Sequence, residues 1–357
     1  MKLDDLIASL QRLEWHYRLL RNGEGAVIVA LERGGRILGI YPDEELENAA
    51  WTNPILADTG ASRRLFGLEN HWNAGGERVW LSPELEYHVV NPGPPADYTV
   101  QRPIDPGAYQ FRGGAVQDQC EWWQEGVAKQ FRSERQIGFR LAKSCRLVKD
   151  PIRFAGLGGP GGYQFVGYES AIDLETNAEG WGNGKEPPLS SWTILQVPAG
   201  GHAYAATYGT ASPTDFFSPA GPSHLSVSEG IVRFRIDAKQ AHKISLTSLQ
   251  TTGRFGYFRR DESGHCHLIV RQIGVYPSAD YLDVPWHDPV YGGHCVQLYN
   301  DDGQIGSFGE LEHHAPAVQW NEEKGLFARK DVSQTWCYSG GYESLAEVLR
   351  LWLGVVI

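Results

Sequence analysis

The segment SFGELEHHAP, residues 307–316, has the alternation of a β-strand. In a strand successive side chains point to opposite faces, so Glu310, Glu312 and His314 would share one face, opposite Leu311. Two carboxylates and an imidazole on one face form a titratable cluster, because like charges raise a carboxylate pKa and a nearby imidazolium lowers it. Such a cluster can transfer protons near neutral pH. The alternative is a solvated strand face that carries no chemistry.

Strand-like segments of this kind recur along the chain. Apolar and polar residues alternate over 137–141 and 232–236, and a glycine-containing turn at 32–35 joins two apolar runs into a hairpin. The chain contains 42 Gly and 20 Pro, which are spread along its length. Many turns between short strands are typical of an all-β protein.

Helical patterns appear at the two ends of the chain. Apolar residues at helical spacing predict amphipathic helices over 3–20 and 342–353, the second followed by Gly354. The segment 118–133 fits a helix or a strand. We therefore expect one all-β domain over residues 1–357, with short helices at both termini.

The composition excludes several classes of protein. Hydrophobic residues make up 41% and charged residues 21% of the chain, which excludes general disorder. The formal net charge is −11 without a basic block, so nucleic acid and anionic membranes are poor partners. No apolar run approaches the roughly 20 residues of a membrane span, and Asp4 and Asp5 interrupt any signal-peptide core. These features predict a cytoplasmic protein; they do not indicate an oligomeric state.

Motifs for metals and cofactors are incomplete. The five cysteines are an odd number without CxxC spacing, which argues against a disulfide framework or a zinc ribbon. His265 and His267 are a possible metal pair, but Arg271 stands where a carboxylate ligand would help, and its charge would repel a metal. The glycines of 156–161 precede a strand-like segment rather than a helix, so they predict a loop. We expect no metal and no cofactor.

A second candidate segment runs over residues 70–84. It combines groups that can hold sugar hydroxyls, because Arg and Asn donate, carboxylates accept and Trp stacks on a sugar ring. The alternative is a structural turn with a buried Arg–Glu pair. The candidate substrate-binding residues are Asn70, His71, Glu77, Arg78 and Trp80.

Several short motifs together resemble the galactose-mutarotase-like superfamily, which includes the aldose 1-epimerases. They lie in the order in which that superfamily carries them, over roughly residues 24–330, and GGERVWLSP is similar to its GG-x-R-x-W-x-x-P stretch. The motifs are RILG (36–39), WTNP (51–54), GGERVWLSPE (75–84), SWTILQVP (191–198) and ELE (310–312). The resemblance, to an uncharacterised branch, implies an antiparallel β-supersandwich.

The resemblance also implies roles for individual residues. Glu312 matches the glutamate that serves these epimerases as catalytic base, and Arg78 matches an arginine that contacts the sugar. The segment that supplies the family's acid histidine has no counterpart, and 251–258 lacks a histidine. His314 is the candidate acid within the cluster, and Glu310 completes the proposed catalytic set.

Two functions follow as hypotheses, and whether the chain is an enzyme is left open. The first is proton transfer at the anomeric centre of a sugar or sugar derivative, with a small-molecule sugar as partner. The second is a carbohydrate-binding protein that has lost the acid histidine. A glycoside hydrolase or lyase is a third possibility: Glu310 and Glu312 would lie about 7 Å apart on one strand, which fits in distance but not in opposed direction.

Overall fold

The computed structural model describes residues 1–69, 71–93, 96–114, 116–156, 159–177, 187–286 and 292–357. The helices α1 to α6 are Leu3–Arg12, Thr59–Ser62, Glu84–Tyr87, Pro151–Phe154, Gly221–His224 and Tyr342–Leu353. The strands β1 to β22 are Tyr17–Arg21, Val27–Leu31, Arg36–Tyr41, Glu77–Ser82, Val89–Asn91, Asp97–Tyr98, Gln110–Arg112, Gln119–Gln130, Arg135–Leu147, Tyr163–Thr176, Ser190–Pro198, Gly201–Thr207, Thr214–Asp215, Leu225–Ser228, Ile231–Ile236, His242–Thr247, Thr251–Arg260, Cys266–Ile273, His294–Asn300, Phe308–His314, Gln319–Asn321 and Leu326–Gly340.

Two large antiparallel sheets contain almost all of these strands. The first has nine strands in the order β1-β2-β3-β4-β11-β20-β19-β16-β13. The second has eleven: the path β14-β15-β12-β17-β18-β22-β10-β9-β8-β7, and β21, which pairs with β22. Strands β5 and β6 form a small separate ribbon. The prediction of an all-β antiparallel fold is confirmed.

The two sheets pack against each other over a common hydrophobic core. Leu195 and Leu311 from the nine-stranded sheet lie opposite each other and belong to the same buried cluster as Leu174 and Cys337 from the eleven-stranded sheet. Alternate residues of β4, β11 and β20 therefore face this core, and the residues between them face away from it. The outward face of the nine-stranded sheet is the one that carries the candidate site.

The C-terminal helix extends over Tyr342–Leu353, as the sequence predicts, and Gly354 ends it at a φ of 67°. The N-terminal prediction is wrong beyond Arg12, where α1 ends. Glu14 takes a left-handed φ of 57°, and Tyr17–Arg21 then pairs with β2 as a strand. Pairing with a neighbouring strand outweighs the helical spacing of the apolar residues in this stretch.

Other local predictions have clear outcomes. The ambiguous segment 118–133 contains the strand β8, and the predicted hairpin is formed by β2 and β3. All five cysteines are free and buried. Residues 157–158 of the predicted glycine loop lie outside the described residues. Within the described ranges, no helix combines the length and apolarity needed to cross a bilayer.

Candidate functional site

A pocket of about 330 Å³ lies on the outward face of the nine-stranded sheet. Its floor comes from β4, β11, β16, β19 and β20, and its walls come from the segments that cover this face. Aromatic rings and charged groups line it together. The lining residues are Trp72, Arg78, Trp80, Glu84, Tyr98, Trp192, Phe217, Lys243, Trp286, Tyr299, Ile305, Phe308, Glu310 and Glu312.

Strand register brings the floor residues together. Glu310 lies opposite Tyr299 of β19 on one side and opposite Gln196 of β11 on the other. Ile194 separates Arg78 from Glu312 across the same sheet. Because β20 sits between β11 and β19, residues from distant parts of the chain meet at this face.

Arg78 and Glu310 form a buried ion pair. Nη2 of Arg78 donates to Oε1 of Glu310 at 2.8 Å, and Nε2 of Gln196 donates to the same oxygen at 3.1 Å. The guanidinium also lies over the rings of Trp72 and Trp80, at 4.7 and 4.3 Å from their centroids. Both charged groups are thus held in fixed positions in the pocket.

Lys243 bridges two further carboxylates. Its Nζ lies 3.2 Å from Oε2 of Glu312 and 3.3 Å from Oε2 of Glu84. Each carboxylate also accepts from an indole: Trp192 Nε1 donates to Glu312, and Trp286 Nε1 donates to Glu84, both at 2.9 Å. The ammonium lies 4.5 Å from the Trp192 ring centroid. The arrangement is a carboxylate–ammonium–carboxylate bridge with a hydrogen bond at each end.

Burial shifts the pKa values of these groups. It raises the pKa of Glu312 to about 8; Lys243 opposes this shift, and the charges of Glu310 and Glu84 add to it. Burial also raises the pKa of Glu84, against the effect of Lys243. Burial alone would lower the pKa of Lys243, but the facing carboxylates raise it above its usual value. The pocket therefore holds a carboxyl group that titrates near neutral pH beside a permanent cation.

His314 shares its sheet face with Glu310 and Glu312 but lies beside the pocket rather than in its lining. It stacks on Trp192 with ring centroids 5.2 Å apart. Its Nδ1 is 2.9 Å from the Ser82 hydroxyl, and its Nε2 is 3.0 Å from the Gln297 amide oxygen. Burial lowers the pKa of His314 to about 3. It is a neutral imidazole with both nitrogens engaged.

The residues predicted from segment 70–84 are divided between several places. Arg78 and Trp80 line the pocket. Glu77 points the other way, into the space between the sheets, where Lys143 and Arg271 pair with it at 3.0 and 2.9 Å. His71 stacks on Trp72, with centroids 5.6 Å apart, and is not part of the lining.

Asn70 lies outside the described residues.

Glu84, Lys243, Trp192 and Trp286 are site residues that the sequence did not single out. Glu84 and Trp192 lie in the motifs GGERVWLSPE and SWTILQVP, but neither the type nor the spacing of these two residues marks them as part of a site. Lys243 and Glu84 are 159 positions apart. They meet because α3, which begins with Glu84, lies against the strand β16 that carries Lys243.

His265 and His267, the possible metal pair of the sequence, contact each other and a serine side chain. The rings of His265 and His267 lie 5.2 Å apart, and Nδ1 of His267 is 2.7 Å from the Ser339 hydroxyl. In the described part of the chain, no group of three or more His, Cys, Asp or Glu residues is placed to hold a metal ion.

Comparisons with known proteins give one family and several solved structures. The model of a family of unknown function, DUF6786, matches residues 8–357. No curated protein matches the sequence.

The solved structures are of the kind that the sequence motifs resemble. Galactose 1-epimerase from Lactobacillus acidophilus NCFM is 12% identical, with 91% of this chain and 94% of that chain covered and a TM-score of 0.47. A GalM/aldose epimerase homologue from C. elegans is 9% identical, covering 92% and 99% of the two chains, with a TM-score of 0.41. A galactose mutarotase related enzyme from Lactobacillus acidophilus is also 9% identical, covering 90% and 97%, with a TM-score of 0.38. Sequence identities and TM-scores this low show nothing about the activity of this chain.

Proposed function

We propose that this chain, which belongs to the family of unknown function DUF6786, binds a sugar or sugar derivative and transfers a proton at its anomeric centre. One observation carries the proposal: Arg78, Glu310 and Glu312 line a single pocket with the rings of Trp72, Trp80, Trp192 and Trp286. Flat aromatic faces suit the C–H faces of a pyranose, and fixed charged groups suit its hydroxyls.

The size of the pocket favours a small ligand. Its volume of about 330 Å³ is at the lower end of the roughly 300–1,000 Å³ that small-molecule sites occupy. Tyr98 and Trp286 stack with centroids 6.0 Å apart, and Phe217 meets Trp286 edge-on at 5.2 Å, so one wall is closed by three rings. A single sugar ring fits these dimensions better than an oligosaccharide.

Glu312 is the proposed general base. Its ionised carboxylate takes the proton from the anomeric O1 hydroxyl while an acid protonates the ring oxygen. The bond between C1 and the ring oxygen breaks, its electron pair goes to that oxygen, and C1 and O1 become a carbonyl. After rotation about C1–C2 the ring hydroxyl adds to the other face of the carbonyl, and both protons return. The net change is inversion at C1 without an external reactant.

Glu84 is better placed than His314 to supply the acid. Its carboxyl group lines the pocket, and burial raises its pKa, which favours the protonated form that an acid needs. His314 lies outside the lining and stays neutral with both nitrogens engaged. Lys243, 3.2 Å from Glu312, stabilises the carboxylate form of the base.

Exchange kinetics test this proposal. Glu312→Gln keeps the size and hydrogen bonding of the side chain but cannot accept the proton, so anomer exchange should slow by about 10²–10⁴-fold. Sugar affinity should change far less, because ground-state hydrogen bonds to the amide remain possible. NMR exchange measurements over a panel of aldoses, with calorimetry for binding, give both quantities. Glu121→Gln, at an exposed position on the other sheet, is the matched control.

A binding protein without catalytic activity is the second candidate. Among the described residues, no histidine lines the pocket, and Glu312 holds its proton at neutral pH. Wild-type protein that binds sugars but never speeds exchange above the buffer rate would favour this alternative. Protein that neither binds nor exchanges any sugar would contradict both.

A small molecule is the proposed partner, rather than nucleic acid or a membrane. The net charge of −11 disfavours association with polyanions such as nucleic acid. The cytoplasmic location stays a prediction from the sequence.

A further inference from the structure

The two cations of the pocket are already engaged by the protein. The guanidinium of Arg78 is bonded to Glu310 and lies over Trp72 and Trp80. The ammonium of Lys243 is shared between Glu312 and Glu84. Nε and Nη1 of Arg78 are buried and have no hydrogen-bond partner among the described residues, so they can donate to a ligand. The charges of both cations are nonetheless balanced by carboxylates, so an anionic ligand would add a negative charge to the pocket without a counter-charge.

Carboxylates outnumber cations in the same place. Glu84, Glu310 and Glu312 line the pocket and are 3%, 6% and 1% exposed, so water screens their charges poorly. A fourth carboxylate, Asp283, lies behind them, 3.6 Å from the neutral His314. In the state that the proposed exchange needs, Glu84 is protonated and Glu312 is ionised. The three ionised carboxylates then face only two cations, Arg78 and Lys243, which leaves one negative charge without a counter-charge.

We propose that the ligand is a sugar bearing a free, positively charged amino group, which supplies the missing counter-charge. The inference rests on the proposed function and adds the substrate class. An ammonium group is compatible with both kinds of surface in the pocket, since carboxylates pair with it and aromatic faces attract it. A neutral sugar would meet the rings and the hydrogen-bonding groups but would leave the charge unbalanced.

Binding of such a ligand is coupled to a proton. Burial raises the pKa of Glu312 to about 8, so at neutral pH the empty pocket keeps a proton on this carboxyl. The charged and titratable groups around it are Lys243, Glu84, Glu310, Arg78 and Tyr98. Asp283 acts on Lys243 and Glu84. An added positive charge lowers the pKa of Glu312 and expels the proton. The substrate would therefore generate the carboxylate form that the proposed base requires.

Calorimetry tests the inference with matched ligands. At pH 6, where the amine is protonated, glucosamine, galactosamine and mannosamine are compared with glucose, galactose and mannose and with the three N-acetyl sugars. In at least one series the amino sugar should bind about tenfold or more tighter than both analogues. Titrations in buffers of different ionisation enthalpy should show the release of up to one proton per sugar bound.

Two variants locate the effect. Glu312→Gln should abolish both the amino-sugar preference and the proton release, whereas Glu121→Gln should keep both. Glu310→Gln removes the other ionised carboxylate of the pocket lining and should weaken the preference in the same direction. An unchanged preference in both pocket variants would overturn the inference.

The failures are distinguishable from one another. Parent or N-acetyl sugars that bind as tightly as amino sugars would overturn the inference and leave the proposed function standing. A panel in which no sugar binds would overturn the proposed function itself. Tetramethylammonium that binds as tightly as the amino sugar would also contradict the inference, because the sugar part would then contribute nothing.

Discussion

At the scale of single residues, Arg78 illustrates how strongly the pocket depends on paired charges. Arg78→Met would leave Glu310 as a buried carboxylate without its cation, which typically costs about 3–5 kcal/mol. The double variant Arg78→Met with Glu310→Gln removes both charges and should recover much of that loss. Urea unfolding measures the free energies. Equal stability of the single variant and the wild type would contradict a buried, paired Arg78.

Alternation along a strand explains what the sequence could predict about these residues. Glu310 and Glu312 share a face because they are two positions apart on β20, and both line the pocket. The same rule places Glu77 and Arg78, which are neighbours on β4, on opposite faces of the sheet. The mixture of residue types in segment 70–84 did not reveal this difference. Lys243 could not be found in this way, since its place in the pocket depends on the order of strands β20, β19 and β16.

At the scale of secondary-structure elements, helix α6 is held by one apolar stripe. Leu349 is fully buried against the eleven-stranded sheet, whereas its near neighbour Leu351 is 42% exposed. Leu349→Ala should therefore cost about 2–5 kcal/mol of unfolding free energy. Leu351→Ala, the matched control, should stay within about 0.5 kcal/mol of the wild type. Similar losses in both variants would mean that the helix is not docked by this stripe.

The two terminal helices show why one boundary was predictable and the other was not. Gly354 marks the end of α6 in the sequence, because glycine readily adopts the left-handed conformation found there. Helix α1 ends without such a signal: Glu14 takes a left-handed φ, and the apolar residues after it pair with β2. Pairing with β2, which lies outside the stretch 3–20 that has the helical spacing, therefore determines where α1 ends.

At the scale of the whole molecule, a buried charge cluster joins the two sheets. Glu77 on β4 meets Lys143 and Arg271 from the other sheet, and the Tyr168 hydroxyl donates to it at 2.9 Å. Glu77→Gln should cost about 3–5 kcal/mol, because the two cations lose their carboxylate. Sugar affinity of the folded variant should equal that of the wild type. A loss of affinity without a loss of stability would instead place Glu77 in the site.

The architecture as a whole was accessible from the sequence, but the strand order was not. Dispersed glycines and prolines with alternating segments predicted an all-β protein, and the family resemblance implied antiparallel sheets. Two packed antiparallel sheets confirm both. Which strands become neighbours depends on long-range pairing, for which local patterns carry no information. The walls of the pocket come from such pairings and from the connecting segments that cover the sheet.

The central claim, that Glu312 transfers a proton to and from a bound sugar, is tested most directly by the pH dependence of anomer exchange. As a base Glu312 must be ionised, and its pKa of about 8 in the free protein means that ionisation increases through this pH. The kcat/KM for exchange, measured by NMR from pH 6 to 9.5, should rise tenfold per pH unit at the acidic end as Glu312 ionises, and should fall again once Glu84, the proposed acid, loses its proton. A flat profile, or exchange no faster than in buffer at every pH, would contradict the account.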